Sequence, residues 1–242
     1  MSQFPSPHYR REPQPLDYAP AATGAIGTFF NAVYAWMCVG LATTAVVAWW
    51  VSGNESLMRS IFSGGTFIIL ILAELGLVFA ISYAVNKISA PAATALFVLY
   101  SALNGLTLSV ILIVYPLGTI GMAFFATAGM FGAMSLVGFV TKRDLSGLGS
   151  ILFMALLGLI IASVINIFVA STAFDWFITY ALIAVFLGLT VYDTQKLKQI
   201  AYATEGNHAM AARMAIVGSL ALYLDFINLF LLILRVLGRS RD

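Results

Sequence analysis

The sequence has 242 residues, of which 61% are hydrophobic and 9% charged, with a formal net charge of +2. A soluble domain usually carries about a quarter charged residues, so this composition excludes a fold whose whole surface faces water. The small net charge, without a cluster of Lys and Arg, excludes nucleic acid as a partner. The single cysteine, Cys38, excludes an intrachain disulfide and a cysteine-based metal motif.

Residues 1–25 are polar and rich in proline, and they contain no apolar core like that of a signal peptide. They predict a disordered cytoplasmic tail rather than a cleaved leader. The first apolar span would then itself serve as the insertion signal. Residues 26–242 predict a single seven-helix transmembrane domain.

Seven long apolar runs follow this tail. Each is close to the roughly 20 residues that a helix needs to cross a bilayer. The runs are apolar on every face, which favours helices over the alternating pattern of a membrane barrel. The fold prediction is therefore an all-α membrane protein, a seven-helix bundle. The predicted spans are residues 26–51, 67–85, 92–115, 120–140, 148–170, 174–197 and 210–237.

The basic residues predict the orientation, because short cytoplasmic loops accumulate Lys and Arg. A cytoplasmic N-terminus leaves Arg59 as the basic residue of the outer loops. Seven full crossings would also place Arg235, Arg239 and Arg241 outside, which the same rule disfavours. The side of the C-terminus therefore stays open, since a re-entrant sixth or seventh segment would return it to the cytoplasm. The basic residues placed inside are Arg10, Arg11, Lys87, Lys142, Arg143, Lys196, Lys198 and Arg213.

Pairs of small residues recur at a spacing of four in the fourth and fifth spans. Small residues let helix backbones approach closely in a bilayer, where the hydrophobic effect does not drive helix association. We interpret these pairs as helix-packing positions without a chemical role. They are Ala128 with Gly132, Gly129 with Ala133, and Gly158 with Ala162.

Three acids, Glu74, Asp193 and Asp225, fall within the predicted spans. A charged group at this depth costs about 2.5–3.5 kcal/mol on insertion scales, so its presence needs a reason. Asp225 has no basic residue within two helical turns, and Asn228 shares its helix face. Asp225 is therefore predicted to form an ion or proton site. The alternative is a protonated acid that is hydrogen-bonded to a neighbouring helix.

Asp193 lies near the cytoplasmic end of the sixth span, three residues before Lys196. One interpretation is an interfacial ion pair with that lysine. The other is a pair with Asp225 on the antiparallel seventh span, which forms if the first turns of that span, around Arg213, project into the cytoplasm. If they do not, the two acids lie at different depths. Two close carboxylates tend to share one proton, and Ca²⁺ offers another way to neutralise them. The sequence thus predicts a pH-gating aspartate pair that binds calcium transiently.

Glu74 lies in the middle of the second span, and the third carries Ser101, Asn104 and Thr107 at successive spacings of three. With Asn228, these residues predict a pore or polar lining. Ordinary interhelical hydrogen bonding is the alternative interpretation of the stripe.

Catalytic motifs are missing from the sequence. Both histidines, His8 and His208, lie outside the spans, so an intramembrane Ser–His dyad is excluded. Walker, HExxH and CxxC motifs do not occur either. We therefore expect neither an enzyme nor a tightly bound cofactor.

Four segments carry a resemblance to a known family. They are GLTVYDTQKLK at 188–198, ALYLDFINLF at 221–230, YSALNGLTLS at 100–109 and FGAMSLVGFVTKRDLS at 131–146. In these segments the chain resembles the Bax inhibitor family of membrane proteins, in its bacterial branch. The resemblance implies a bacterial cytoplasmic membrane location and a central last helix wrapped by the other six. It also implies a pH-sensitive calcium leak.

The resemblance places the family's aspartyl pair at Asp193 and Asp225. A family arginine in the second helix, which latches one aspartate, has no counterpart in a span that carries Glu74. Lys87, which follows that span, is the candidate latch in its place.

Three functions are therefore open. The first is a pH-sensitive calcium leak channel in the lipid bilayer, with calcium as the permeant ion. The second is a regulatory partner of a membrane protease or stress-response complex, which would use residues 2–20 as a contact arm. The third is a proton-coupled transporter of a small solute, for which buried acids are equally suitable.

Overall fold

The computed structural model describes residues 20–84 and 87–239, so most of the predicted tail lies outside the described residues. Within them the chain is helical and contains no strand. The helices are α1 Pro20–Ser52, α2 Glu55–Phe62, α3 Thr66–Ala84, α4 Ala90–Leu108, α5 Ile111–Val114, α6 Leu117–Val140, α7 Ser146–Val169, α8 Thr172–Ala203 and α9 His208–Arg239.

Six segments of this part of the chain are long and apolar enough to cross a membrane: α1, α4 with α5, α6, α7, α8 and α9. A seventh candidate is the pair of α2 and α3, which meet at an angle of 77°. Each predicted span overlaps one of these segments, with α3 as the long arm of the bent pair. The predicted all-α membrane bundle is confirmed.

Polar side chains at the helix ends explain why the apolar runs break where they do. The Asn54 side chain accepts a hydrogen bond from the Leu57 N–H at 3.2 Å and begins α2. Ser171 caps α8 in the same way, through the Phe174 N–H. The short α7–α8 turn also contains Ala170 in the left-handed conformation, at φ 53°. The Asn166 amide bonds both backbone groups of Ser171, which holds this turn closed.

Helix α9 is the centre of the bundle. It packs against α1, α4, α6 and α8. Of the residues in its most apolar 18-residue stretch, 67% are buried, whereas none of those in the corresponding stretch of α7 are buried. Helix α3 is held mainly through α4, and α7 through α8. The implied central helix is therefore present, but four helices rather than six form its principal packing partners.

One end of the bundle collects the basic loops. Arg213, in the second turn of α9, donates to the Ile88 carbonyl at 3.4 Å. Lys198, in the last turns of α8, donates to the Phe139 carbonyl at 2.8 Å. These contacts bring together the α3–α4, α6–α7 and α8–α9 connections. We call this the basic end, defined by Lys87, Lys142, Arg143, Lys196, Lys198 and Arg213.

The other end, called the arginine end, is defined by Arg59, Asp175, Arg235 and Arg239. Here the side chains of Arg235, near the end of α9, and Asp175, in the first turn of α8, are 2.6 Å apart. Met58 of α2 contacts Ser109, and Tyr115 packs on Gly238. Helices α8 and α9 therefore both run the full length of the bundle. The re-entrant alternative is wrong, and the last turn of α9 lies opposite the basic end.

Close helix contacts occur at glycines other than those predicted. A Cβ at Gly105 would clash with the Thr44 carbonyl, and one at Gly138 with the Val191 carbonyl. At Gly129, Gly132 and Gly158 a Cβ would meet nothing within 4 Å. These three glycines are therefore not close-contact positions in this structure, because a side chain could be added at each without meeting a neighbouring helix.

Candidate ion site on the central helix

Asp225 lies in the part of α9 that is surrounded by other helices. Its side chain is 5% exposed, and its Oδ2 atom has no hydrogen-bond partner in the described part of the chain. A buried carboxyl oxygen without a partner costs about 1–3 kcal/mol. Such an atom marks a place where a proton, a water molecule or a cation is needed.

Asp193 of α8 is the acid that acts on Asp225. The two carboxyl groups interact electrostatically across the α8–α9 interface. The register of these helices follows from Gly218 of α9, which packs on Leu197 of α8. One turn further along each antiparallel helix, Asp193 comes level with Leu222, about 4.5 Å along the axis from Asp225. The structure therefore brings the two predicted residues together.

Lys196 does not form the ion pair that was the alternative for Asp193. Its ammonium lies 6.0 Å from the centre of the Tyr192 ring and faces outward. In the described residues, the ion pairs at contact distance are Arg59–Glu55, Arg235–Asp175 and Arg239–Asp175. Lys196 acts on Asp193 only at longer range. The two aspartates thus face each other without a cation in direct contact.

Glu74 belongs to a second polar cluster, between α3 and α4. The Thr107 hydroxyl donates to Glu74 Oε1 at 2.9 Å. Asn104 lies between the Glu74 carboxyl and the Tyr100 hydroxyl and interacts with both. Ser101 instead donates to the Phe97 carbonyl of its own helix. The predicted stripe is therefore divided, and two of its three residues meet Glu74.

Tyrosine and threonine side chains connect this second cluster to α9. The Tyr223 hydroxyl lies 2.6 Å from the Thr44 hydroxyl, and its ring meets Tyr100 edge-on at 5.9 Å. Tyr223 and Asp225 are two residues apart, so they point to opposite sides of α9. The helix therefore separates the Glu74 cluster from the aspartate pair.

A chain of hydroxyl groups lies beside Asp193. Ser135 of α6 is 3.0 Å from the hydroxyl of Thr194, the next residue after Asp193, and it also bonds the Tyr34 hydroxyl of α1. The sequence alone does not predict this chain. Single hydroxyl residues on three separate helices give no pattern until the helices are packed together.

Two further predicted residues lie apart from the aspartates. The Asn228 amide donates to the Leu224 carbonyl of its own helix at 2.8 Å. The Lys87 ammonium lies 5.0 Å from the centre of the Tyr83 ring and belongs to none of the ion pairs in the described residues. The suggested lysine latch is therefore not formed in this structure.

The acids provide few ligands for a metal ion. In residues 20–84 and 87–239, no three His, Cys, Asp or Glu side chains come together as a metal site. Ca²⁺ prefers six to eight oxygen ligands, so two carboxylates must share it with water or carbonyl groups.

Known proteins resemble this chain in sequence over most of its length. The family model described as "Inhibitor of apoptosis-promoting Bax1" matches residues 27–242. Inner membrane protein YbhL of Escherichia coli is 50% identical over 88% of this chain and 92% of its own length. A Borreliella burgdorferi protein is 46% identical over 88% and 93%, and one from Deinococcus radiodurans 45% identical over 90% and 92%. The chain is a multi-pass membrane protein that belongs to the Bax inhibitor family.

Proposed function

We propose that this protein is a pH-sensitive calcium leak channel of the bacterial inner membrane, in which Asp193 and Asp225 form the gate. The observation that carries the proposal is the buried Asp225 carboxyl, whose Oδ2 has no partner and which faces Asp193 on α8. The proposal involves no catalytic step and no tightly bound cofactor.

Two like charges in a place with little water are costly. When both carboxyls are ionised, they repel each other across the helix interface. One shared proton removes that repulsion, and so does a divalent cation bound between them. Protons and Ca²⁺ therefore compete for the pair, and calcium occupancy rises as the pH rises.

The position of the pair supports a role in conduction. Asp225 lies about 25 Å along α9 from its beginning and about 21 Å from its end, at 1.5 Å per residue. An ion that crosses the bundle near α9 would meet these carboxyls roughly halfway. The Thr194–Ser135–Tyr34 hydroxyls provide further polar groups beside Asp193.

We further propose that the basic end is cytoplasmic, which places the N-terminus inside. Short cytoplasmic loops are enriched in Lys and Arg, and six basic residues define this end. At the arginine end, each arginine of the described residues is paired with an acid, so its charge is partly compensated.

Calcium flux into dye-loaded liposomes tests the proposal. Wild-type protein should pass Ca²⁺ at a rate that rises from acidic to neutral pH, and Asp225→Asn should flatten this dependence. Glu205→Gln is the matched control, because it removes an exposed carboxylate from the loop between α8 and α9. Equal flux and equal pH dependence in the wild type and Asp225→Asn would reject the gate.

The other two predicted functions, a regulatory partner and a proton-coupled transporter, need different evidence. A contact arm at residues 2–20 lies almost wholly outside the described residues. Proton-coupled transport would use the same acids, but it would show solute counterflow driven by a pH gradient in the absence of calcium.

A further inference from the structure

The arginine end contains a polar cavity that the aspartate pair does not use. It has a volume of about 450 Å³ and lies between α7, the start of α8 and the end of α9. Its polar lining consists mainly of Ser163, Asn166, Ser171, Asp175, Arg235 and Arg239. The geometry points to a binding site for the phosphate of a phospholipid headgroup.

The charge of this cavity favours an anion. Asp175 accepts hydrogen bonds from Arg235 at 2.6 and 2.7 Å and also from Arg239. Within the described residues, one carboxylate thus pairs with two guanidinium groups. The three side chains together carry a net charge of +1. The arginine side chains are 39% and 42% exposed, whereas that of Asp175 is 17% exposed. The guanidinium groups therefore remain accessible beside a largely covered carboxylate.

Guanidinium groups suit phosphate in particular. Their planar N–H donors form paired hydrogen bonds with phosphate oxygens, and arginine is therefore common at phosphate sites. The neighbouring Asn166 side chain bonds both backbone groups of Ser171 and so holds the α7–α8 turn, which forms one wall of the cavity.

The surroundings of the cavity identify the phosphate as one carried by a lipid. Ile167, Phe168 and Val169, at the end of α7, are 75%, 85% and 60% exposed, and Phe177 of α8 is 64% exposed. In a membrane protein such exposed apolar side chains face acyl chains. Trp176 stacks on Tyr180 and lies under the Arg239 guanidinium, and such aromatic residues are typical of the membrane interface. The cavity therefore lies where hydrocarbon meets headgroups.

Native mass spectrometry of the full chain, with phosphatidylglycerol as the probe, tests this site. Arg239→Gln should lose bound lipid by at least about tenfold, because it removes a charge-assisted hydrogen bond to the phosphate, and tenfold corresponds to about 1.4 kcal/mol. Arg59→Gln should leave binding unchanged, since it removes an arginine from the same end but outside the cavity.

Asp175→Asn separates a lipid site from a purely structural ion pair. It removes the competing carboxylate, so a phosphate site should retain more phosphatidylglycerol than the wild type. Equal retention by wild type and Arg239→Gln would overturn the site, and so would equal losses in Arg239→Gln and Arg59→Gln. Binding of inorganic phosphate by a wild-type protein that retains no phosphatidylglycerol would overturn the assignment to a headgroup.

Discussion

The interface between α8 and α9 carries acids in two opposite electrostatic settings. At the arginine end, Asp175 is held by Arg235 and Arg239. About midway along α9, Asp225 faces Asp193, and neither belongs to an ion pair in the described residues. Opposite charges fix two helices in one arrangement. Like charges leave the arrangement dependent on a proton or a cation, so the same helix pair combines a fixed end with a pH-sensitive middle.

The largest expected effect comes from breaking the fixed end. Replacing both Arg235 and Arg239 by Gln leaves the mostly covered Asp175 carboxylate without a cation. We expect a loss of about 2–3 kcal/mol in the free energy of unfolding, below the usual loss for a fully buried pair because the arginines are partly exposed. Chemical denaturation in detergent measures it, and a loss no greater than that in Arg59→Gln would contradict the assigned role.

A change of opposite sign is expected in the middle of the interface. Asp225→Asn removes a buried group that repels Asp193 and replaces it with a neutral amide of the same shape. We expect stability at neutral pH to rise by about 1 kcal/mol, together with the loss of pH-dependent calcium flux. The same denaturation experiment measures the stability. A destabilised variant would show that the Asp225 carboxyl is held by favourable contacts.

The Glu74 cluster gives a smaller effect, because Asn104 still interacts with the acid when the Thr107 hydroxyl is removed. Thr107→Val removes the 2.9 Å hydrogen bond to Glu74 and keeps the side-chain volume. We expect a loss of about 0.6 kcal/mol, the average for such contacts in membrane proteins, with unchanged pH dependence of flux. Ser101→Ala, on the same helix but without contact to Glu74, is the control. A flattened pH dependence of calcium flux in Thr107→Val would show that the Glu74 cluster takes part in gating.

The smallest effect is expected for the exposed ion pair at the arginine end. Arg59 and Glu55 are 2.5 Å apart, but their side chains are 78% and 80% exposed. Arg59→Gln should change the free energy of unfolding by less than about 0.5 kcal/mol, since surface pairs contribute little. A loss above 1 kcal/mol would contradict the account, because the exposed Arg59–Glu55 pair would then stabilise the protein about as much as the more covered ion pairs of Asp175.

The spans and the buried acids could be predicted because both are signals along the chain. A long apolar run defines a helix, and a lone acid within it is conspicuous. The pairing of Asp175 with Arg235 could not be predicted, because 60 residues separate them. By the distribution of basic residues alone, Arg235 and Arg239 disfavour a full last crossing. Their contact with Asp175 explains how two arginines are accommodated at that end.

The packing glycines show the same limit. Gly129, Gly132 and Gly158 had the expected spacing, but Gly105, Gly138 and Gly218 make the close contacts. Spacing identifies a helix face, and only the neighbouring helix decides whether that face is in contact. For the same reason Tyr34, Ser135 and Thr194 became visible as a group only in the folded chain.

The most direct test of the central claim is an infrared difference spectrum, with and without Ca²⁺, that reads the carbonyl stretch of protonated carboxyl groups. If protons and calcium exclude each other at Asp193 and Asp225, Ca²⁺ should remove one protonated-carboxyl band from the wild type and from Glu205→Gln. The band change should be absent in Asp225→Asn. A spectrum that Ca²⁺ leaves unaltered, or the same change in Asp225→Asn, would contradict the account.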